Sequence, residues 1–203
     1  MTKIKICGLT RMEDADWANE LLPDYVGLMF AESRRRITPE TAARIAGDID
    51  HAVKRVGVFV NPTMDEIQDV LDTCPLDILQ LHGEESPAFC EKTGMPVWKA
   101  FRMRTPKVLE ELDAYNVDAY ILDGWHPDSH GGTNTTFPWE WAQRYDFKDK
   151  KVILAGGLTP QNVTEAIQRI SPWAVDVSSG VETAGIKNTA KIAAFIERVR
   201  QYE

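Results

Sequence analysis

Cys7-Gly8 and Asp123-Gly124 each set a titratable side chain against a glycine, and a thiol and a carboxyl are groups that could trade protons with one small substrate. A thiolate could act as base if its pKa fell from about 8.5; a lone cysteine is otherwise a small apolar residue. A carboxyl facing a closed cavity could stay protonated and act as donor, whereas such an aspartate otherwise satisfies loop amides. Gly156-Gly157 and Ser178-Ser179-Gly180 could cradle an anion, because glycines admit the ligand to the backbone and amides at helix starts point toward it. Gly156, Gly157, Ser179 and Gly180 are therefore candidate phosphate contacts. Arg35, within Ser33-Arg34-Arg35-Arg36, is either part of a solvated basic loop or a planar clamp for a carboxylate. His126 and His130 with Asp123 and Asp128 raise the question of a metal, but they share one loop without a supporting ligand elsewhere, so none is expected. His82 reads as a rim or packing residue.

Short β-branched runs alternate with longer stretches of helical period, and eight such pairs can be counted. The predicted strands are Lys3–Cys7, Tyr25–Phe30, Lys54–Val60, Ile78–Leu81, Val97–Phe101, Ala119–Asp123, Lys151–Ala155 and Ala174–Val177. Successive strands start about 24 residues apart, which leaves room for one helix after each. Thr38-Pro39, Ser86-Pro87, Thr105-Pro106 and Thr159-Pro160 place a hydroxyl before a proline, as helix starts do, and Thr63 to Glu66 reads as a capping box. Without a linker rich in Pro, Gly or Ser, residues 1–203 read as one domain.

Eight βα units most simply close as a (β/α)₈ TIM barrel, an α/β fold in which active sites lie at the C-terminal strand ends. An open doubly wound sheet is the alternative, but closure removes exposed edges. In a barrel, Cys7 ends strand one, Asp123 ends strand six, and the two glycine-rich segments follow strands seven and eight, where many barrels bind phosphate. Thiol and carboxyl would then flank one small substrate. The long segment from Gly124 to Pro138, with Gly131-Gly132 to let it bend, is a candidate cover. Trp17, Trp98 and Trp173 are expected on the helix–strand seam of the outer layer.

Composition excludes several classes. Lys and Arg number 23 against 31 Asp and Glu, a net charge of −8, which disfavours nucleic-acid binding. Apolar runs fall far short of the ~20 residues that span a bilayer, and no secretory signal is evident. Three cysteines, Cys7, Cys74 and Cys90, without metal-type spacing suggest reduced thiols in a cytoplasm.

Lys5-Ile6-Cys7-Gly8-Leu9-Thr10, Gln80-Leu81-His82-Gly83, Leu122-Asp123, Gly131-Gly132-Thr133 before Phe137-Pro138-Trp139, Leu154 to Leu158 and Asp176 to Glu182 together resemble phosphoribosylanthranilate isomerases. The resemblance runs from the first strand to the last helix. It implies an Amadori rearrangement of an aminoaldose phosphate to an aminoketose in tryptophan biosynthesis, without cofactor or metal. It further implies Asp123 as general acid, Cys7 as general base, a phosphate on Gly156, Gly157, Ser179 and Gly180, and Arg35 on the anthranilate carboxylate, with Arg34 and Arg36 as surface charge. The expected partner is a phosphorylated small molecule, and the chain is expected to be a monomer or a homodimer. Asn134 departs from the family pattern where a glycine usually follows Gly-Gly-Thr, and Asn188 where an aspartate usually follows Lys187. A histidine-pathway isomerase would resemble a two-aspartate design, and indole-glycerol-phosphate synthase would need glutamates to accompany Lys99. A catalytically silent scaffold would have lost Cys7 or Asp123.

Overall fold

The computed structural model describes residues 1–125 and 136–202. Eight parallel strands follow one another around a closed barrel in chain order. They are β1 (Lys3–Leu9), β2 (Tyr25–Met29), β3 (Lys54–Phe59), β4 (Ile78–Leu81), β5 (Val97–Met103), β6 (Ala119–Gly124), β7 (Val152–Leu154) and β8 (Ala174–Val177). The last seam joins β1 to β8, with Lys3 to Ile6 in register with Ala174 to Val177. Around the strands lie α1 (Glu13–Leu21), α2 (Pro39–Asp48), α3 (Met64–Thr73), α4 (Pro87–Lys92), α5 (Glu140–Gln143), α6 (Val163–Ile170) and α7 (Thr189–Gln201). The fold is a (β/α)₈ barrel.

Local chemistry sets most helix starts. Thr38, Ser86 and Thr63 cap α2, α4 and α3, and Thr63 with Glu66 completes a capping box. Asn188 caps α7 by accepting from the Lys191 amide, so an uncharged side chain still satisfies that helix start. Two expectations need correction. After β5 the chain forms a 3₁₀ helix, Pro106–Ala114, rather than an α-helix, and Thr105 makes no side-chain cap. Thr159-Pro160 does not open α6: Asn162 is the N-cap residue, its Oδ1 accepting from the Thr159 amide and its Nδ2 donating to the Gly157 carbonyl. Between β8 and α7 the chain adds a 3₁₀ turn, Ser179–Val181, and a hairpin of β9 (Glu182–Thr183) and β10 (Ile186–Lys187).

Strand alternation divides the core into two layers. Tyr120, Leu122, Val152 and Leu154 pack outward in the large cluster shared with the helices, whereas Ile121, Ile153, Ala100 and Ala174 fill the barrel. Trp98 belongs to the inner layer and Trp173 packs against it, which corrects the outer-seam assignment for both residues. Trp98 is 2% exposed and meets Tyr25 edge-on at 4.8 Å and Trp173 edge-on at 5.9 Å. All three stand at the N-terminal ends of strands, so aromatic rings close the floor of the barrel. Trp17 does lie in the outer layer.

Among the described residues no helix is long and apolar enough to cross a membrane. Cys7, Cys74 and Cys90 are buried and free. Most of the candidate cover lies outside the described residues, including His126, Asp128, His130, Gly131, Gly132, Thr133 and Asn134.

Removing the aromatic plug should be costly. Trp98→Ala is expected to lower stability by about 3–5 kcal/mol, measured by urea unfolding.

Candidate active site

The inward parity that fills the barrel with Ile121 also turns Asp123 inward, and that of Ile78 turns Gln80 and His82 inward. These side chains surround one cavity of about 360 Å³, also lined by Cys7 and Asp176. Every candidate site residue named from the sequence reaches it: Cys7, Arg35, Asp123, Gly156, Gly157, Ser179 and Gly180. Counted the shorter way around the barrel, the strands of Cys7 and Asp123 are three apart. Lys99 has the opposite parity. It is buried outside the cavity, donating to the Gly83 carbonyl and pairing with Glu85 at 3.1 Å, which removes it as an interior lysine.

His82 does more than pack at the rim. Its Nε2 lies 3.0 Å from Asp123 Oδ2, and Gln80 Nε2 lies 2.9 Å from its Nδ1. With the amide nitrogen donating to Nδ1, the ring proton sits on Nε2 and is donated to Asp123. One carboxyl oxygen, Oδ2, is thereby engaged by His82, and the carboxyl lines the cavity. The inward parity of Gln80, His82 and Asp123 was the sequence signal for this chain, readable only once the strands were assigned to a barrel.

On the other side of the mouth, burial pushes the Cys7 thiol up from its ordinary pKa, while the ammonium groups of Lys5 and Lys187 pull it down and Asp176 pushes it up. The net direction is upward, opposite to the shift a thiolate base requires. Arg35 is buried, whereas Arg34 and Arg36 are exposed, so the structure singles out one arginine of the three. Its Nε and Nη2 donate to Glu182 at 2.7 and 3.1 Å, leaving Nη1 outside that pair. Arg34 is not merely surface charge, since it also lines the cavity and pairs with Glu182 at 2.5 Å. Glu182 feels an upward push from burial, but hydrogen bonds from Arg35 and Lys187 override it and hold its carboxyl at about 2.

The turn after β7 depends on Gly156 and Gly157, whose φ values of 82° and 63° disfavour side chains. At Gly180 a Cβ would stand 1.9 Å from the Leu158 carbonyl oxygen, so glycine alone lets the β7 and β8 turns meet. Two adjoining backbone segments thus line one side of the cavity.

A closed (β/α)₈ barrel with titratable side chains gathered at the C-terminal strand ends is the architecture of a barrel enzyme. Residues 4–198 match the model of the N-(5'-phosphoribosyl)anthranilate (PRA) isomerase family, and the chain belongs to that family. It is 47% identical over 203 residues to the N-(5'-phosphoribosyl)anthranilate isomerase of Geobacter sp. (strain M21), covering 99% of each chain. Its structure is similar to that of phosphoribosyl anthranilate isomerase from Thermotoga maritima, with TM-score 0.91, 38% identity, and coverage of 99% of this chain and 100% of that one. A third relative, at TM-score 0.84 and 36% identity over 99% of this chain and 100% of its own, was solved in complex with reduced 1-(o-carboxyphenylamino)-1-deoxyribulose 5-phosphate.

Because the Glu182 carboxyl is held well below its ordinary 4.5, its contribution to stability is complete above that value and is lost as pH falls through about 2. Glu182→Gln should cost about 3 kcal/mol at neutral pH, and should flatten the loss of stability between pH 4.5 and 2 measured by denaturant titration.

Proposed function

We propose that this chain, as one domain spanning residues 1–203, converts N-(5-phosphoribosyl)anthranilate to 1-(2-carboxyphenylamino)-1-deoxyribulose 5-phosphate in tryptophan biosynthesis, with Asp123 as acid and Cys7 as base. The observation that carries this reading is the single cavity lined by thiol, carboxyl, buried arginine and the paired glycine turns. Asp123 protonates the ribose ring oxygen, and the C1–O bond breaks to leave a protonated imine. That cation acidifies the neighbouring C2 proton, so a modest base suffices, and Cys7 as thiolate removes it. The electron pair of the C2–H bond moves into the imine to give an enol-amine. Proton loss from the C2 hydroxyl and proton gain at C1 then yield the ketone, with no change of oxidation state overall.

Binding is the work of groups remote from these bond changes. The substrate phosphate sits against Gly156, Gly157, Ser179 and Gly180, where close backbone approach favours an anion. Arg35 takes the anthranilate carboxylate through the corner of its guanidinium that Glu182 leaves. The Gln80–His82 pair keeps the acid oriented, so that its proton is presented to the ring oxygen and not to the barrel wall. These roles need no cofactor. Cytoplasmic location as a monomer or homodimer fits a biosynthetic enzyme, and the Thermotoga maritima relative is described as dimeric.

Substrate emission followed on freshly made phosphoribosylanthranilate should disappear faster with the purified chain than by spontaneous hydrolysis; no acceleration would sink the activity. Cys7→Ala and Asp123→Asn should each lower kcat by at least ~10² with the fold intact by circular dichroism. Arg35→Ala should chiefly raise KM. Near-normal turnover in Cys7→Ala would remove its role as base.

A further inference from the structure

Lys5 has no place in the mechanism above, yet it is wholly buried inside the barrel, two residues before Cys7 on the same face of β1. Burying an ammonium is expensive unless it is paired, and Lys5 pairs with Asp176 on β8 at 2.8 Å. Lys5 and Asp176 are register partners across the β1–β8 seam, so closure of the barrel itself brings them side by side. Asp176 Oδ2 takes the Lys5 proton donor, while Oδ1 is buried without a hydrogen-bond partner. An isolated ion pair deep in a barrel adds little stability over apolar residues of similar size. A plainly structural role therefore explains the pair poorly.

Its surroundings suggest another. Lys5 and Cys7, two residues apart on β1, point to the same side of the strand, and the charge of the ammonium favours the thiolate form of Cys7. From β10, Lys187 also acts on that sulfur, and it donates to Glu182 at 2.8 Å and to the Ser178 carbonyl at 3.1 Å. Arg35 shares Glu182. The buried charges of this corner are thus Lys5, Arg35 and Lys187 against Asp176 and Glu182, three cations and two anions. That leaves one positive charge in excess, which a Cys7 thiolate would offset when it forms. Across the mouth, Asp123 and His82 engage each other at 3.0 Å. On β2 the register partner of Cys7 is Gly27, where a Cβ would come within 2.6 Å of the sulfur. The sulfur is therefore confined from the uncharged side and faces cations on the other.

We propose that Lys5 is a positioning residue that stabilises the Cys7 thiolate when it forms over the barrel interior, and that Asp176 moderates this effect by neutralising part of the Lys5 charge. The inference rests on Cys7 as the base and adds how a deeply buried thiol is kept ready for that work. Without a nearby cation, burial would make the thiolate costlier still to form. With an unmoderated cation, the thiolate would be held so firmly that its basicity would fall.

The two partners of this ion pair should act in opposite directions, which a purely structural pair would not do. The measurement is the rate of iodoacetamide alkylation at Cys7 against pH, resolved by mass spectrometry of the Cys7 peptide, beside the pH profile of kcat. Lys5→Met should move the alkylation inflection and the acid limb of kcat upward by about one pH unit or more, a tenfold loss of reactivity at neutral pH. Asp176→Asn should move both downward. Unmoved inflections, or shifts of the same sign in both variants, would overturn the proposal. If Lys5→Met does not fold, Asp176→Asn decides alone: a downward shift supports the assignment and an unmoved or upward one refutes it. Alkylation reports the thiol whether or not it is the base, so normal turnover in Cys7→Ala would remove the catalytic role and leave the hold of Lys5 on the sulfur separately readable.

Discussion

Closure between β1 and β8 is the constraint on which the rest depends. It joins the first strand to the last, and by doing so it turns the alternate residues of every strand into a single interior. At one end that interior is filled by Trp98 against Tyr25 and Trp173; toward the other end it becomes polar and stops being filled. An open sheet with the same strands would keep Cys7 near Gly27, but would separate Lys5 from Asp176 and Ser178 from the Cys7 carbonyl it now reaches at 2.9 Å. Topology therefore assembles the charges around the thiol.

The same closure explains why burial and charge coexist at the mouth. Lys5, Arg35, Lys187, Asp176 and Glu182 would each be costly alone in this environment. Together they form a network in which Glu182 ties Arg35 to Lys187 and Asp176 ties β8 to β1. Opposite it, the Gln80–His82–Asp123 chain is held by hydrogen bonds between largely buried partners. One side of the cavity is thus charged and the other a directed relay. The two faces of the cavity therefore differ in kind, and a base and an acid of the proposed reaction would each meet a different environment.

Much of this was legible because the governing signals are local. Strand count, the capping box at Thr63 and the hydroxyl–proline starts of α2 and α4 depend on neighbours a few residues away. What was not legible required the third dimension. In Lys3-Ile4-Lys5-Ile6-Cys7, alternation read alone places the isoleucines in the core and the lysines in water; in a closed barrel both faces are covered, and Lys5 faces inward while Ile4 and Ile6 pack outward. Val108, Leu109 and Leu112 are buried at a spacing that suits an α-helix as well as the 3₁₀ helix found there. Thr159 resembled a cap until Asn162, three residues later, took its amide. His82 and Gln80 gain their meaning only from Asp123, 41 residues from the histidine.

The most direct test of a thiol and a carboxyl working on one substrate is a crystal structure of this chain with reduced 1-(o-carboxyphenylamino)-1-deoxyribulose 5-phosphate, the compound already seen in a relative. The account predicts the Cys7 sulfur within about 4 Å of C2, the Asp123 carboxyl within about 3 Å of the oxygen that closed the ring, and the phosphate against the turns after β7 and β8. A ligand whose C2 lies beyond reach of the sulfur, or whose phosphate rests elsewhere on the barrel, would contradict it.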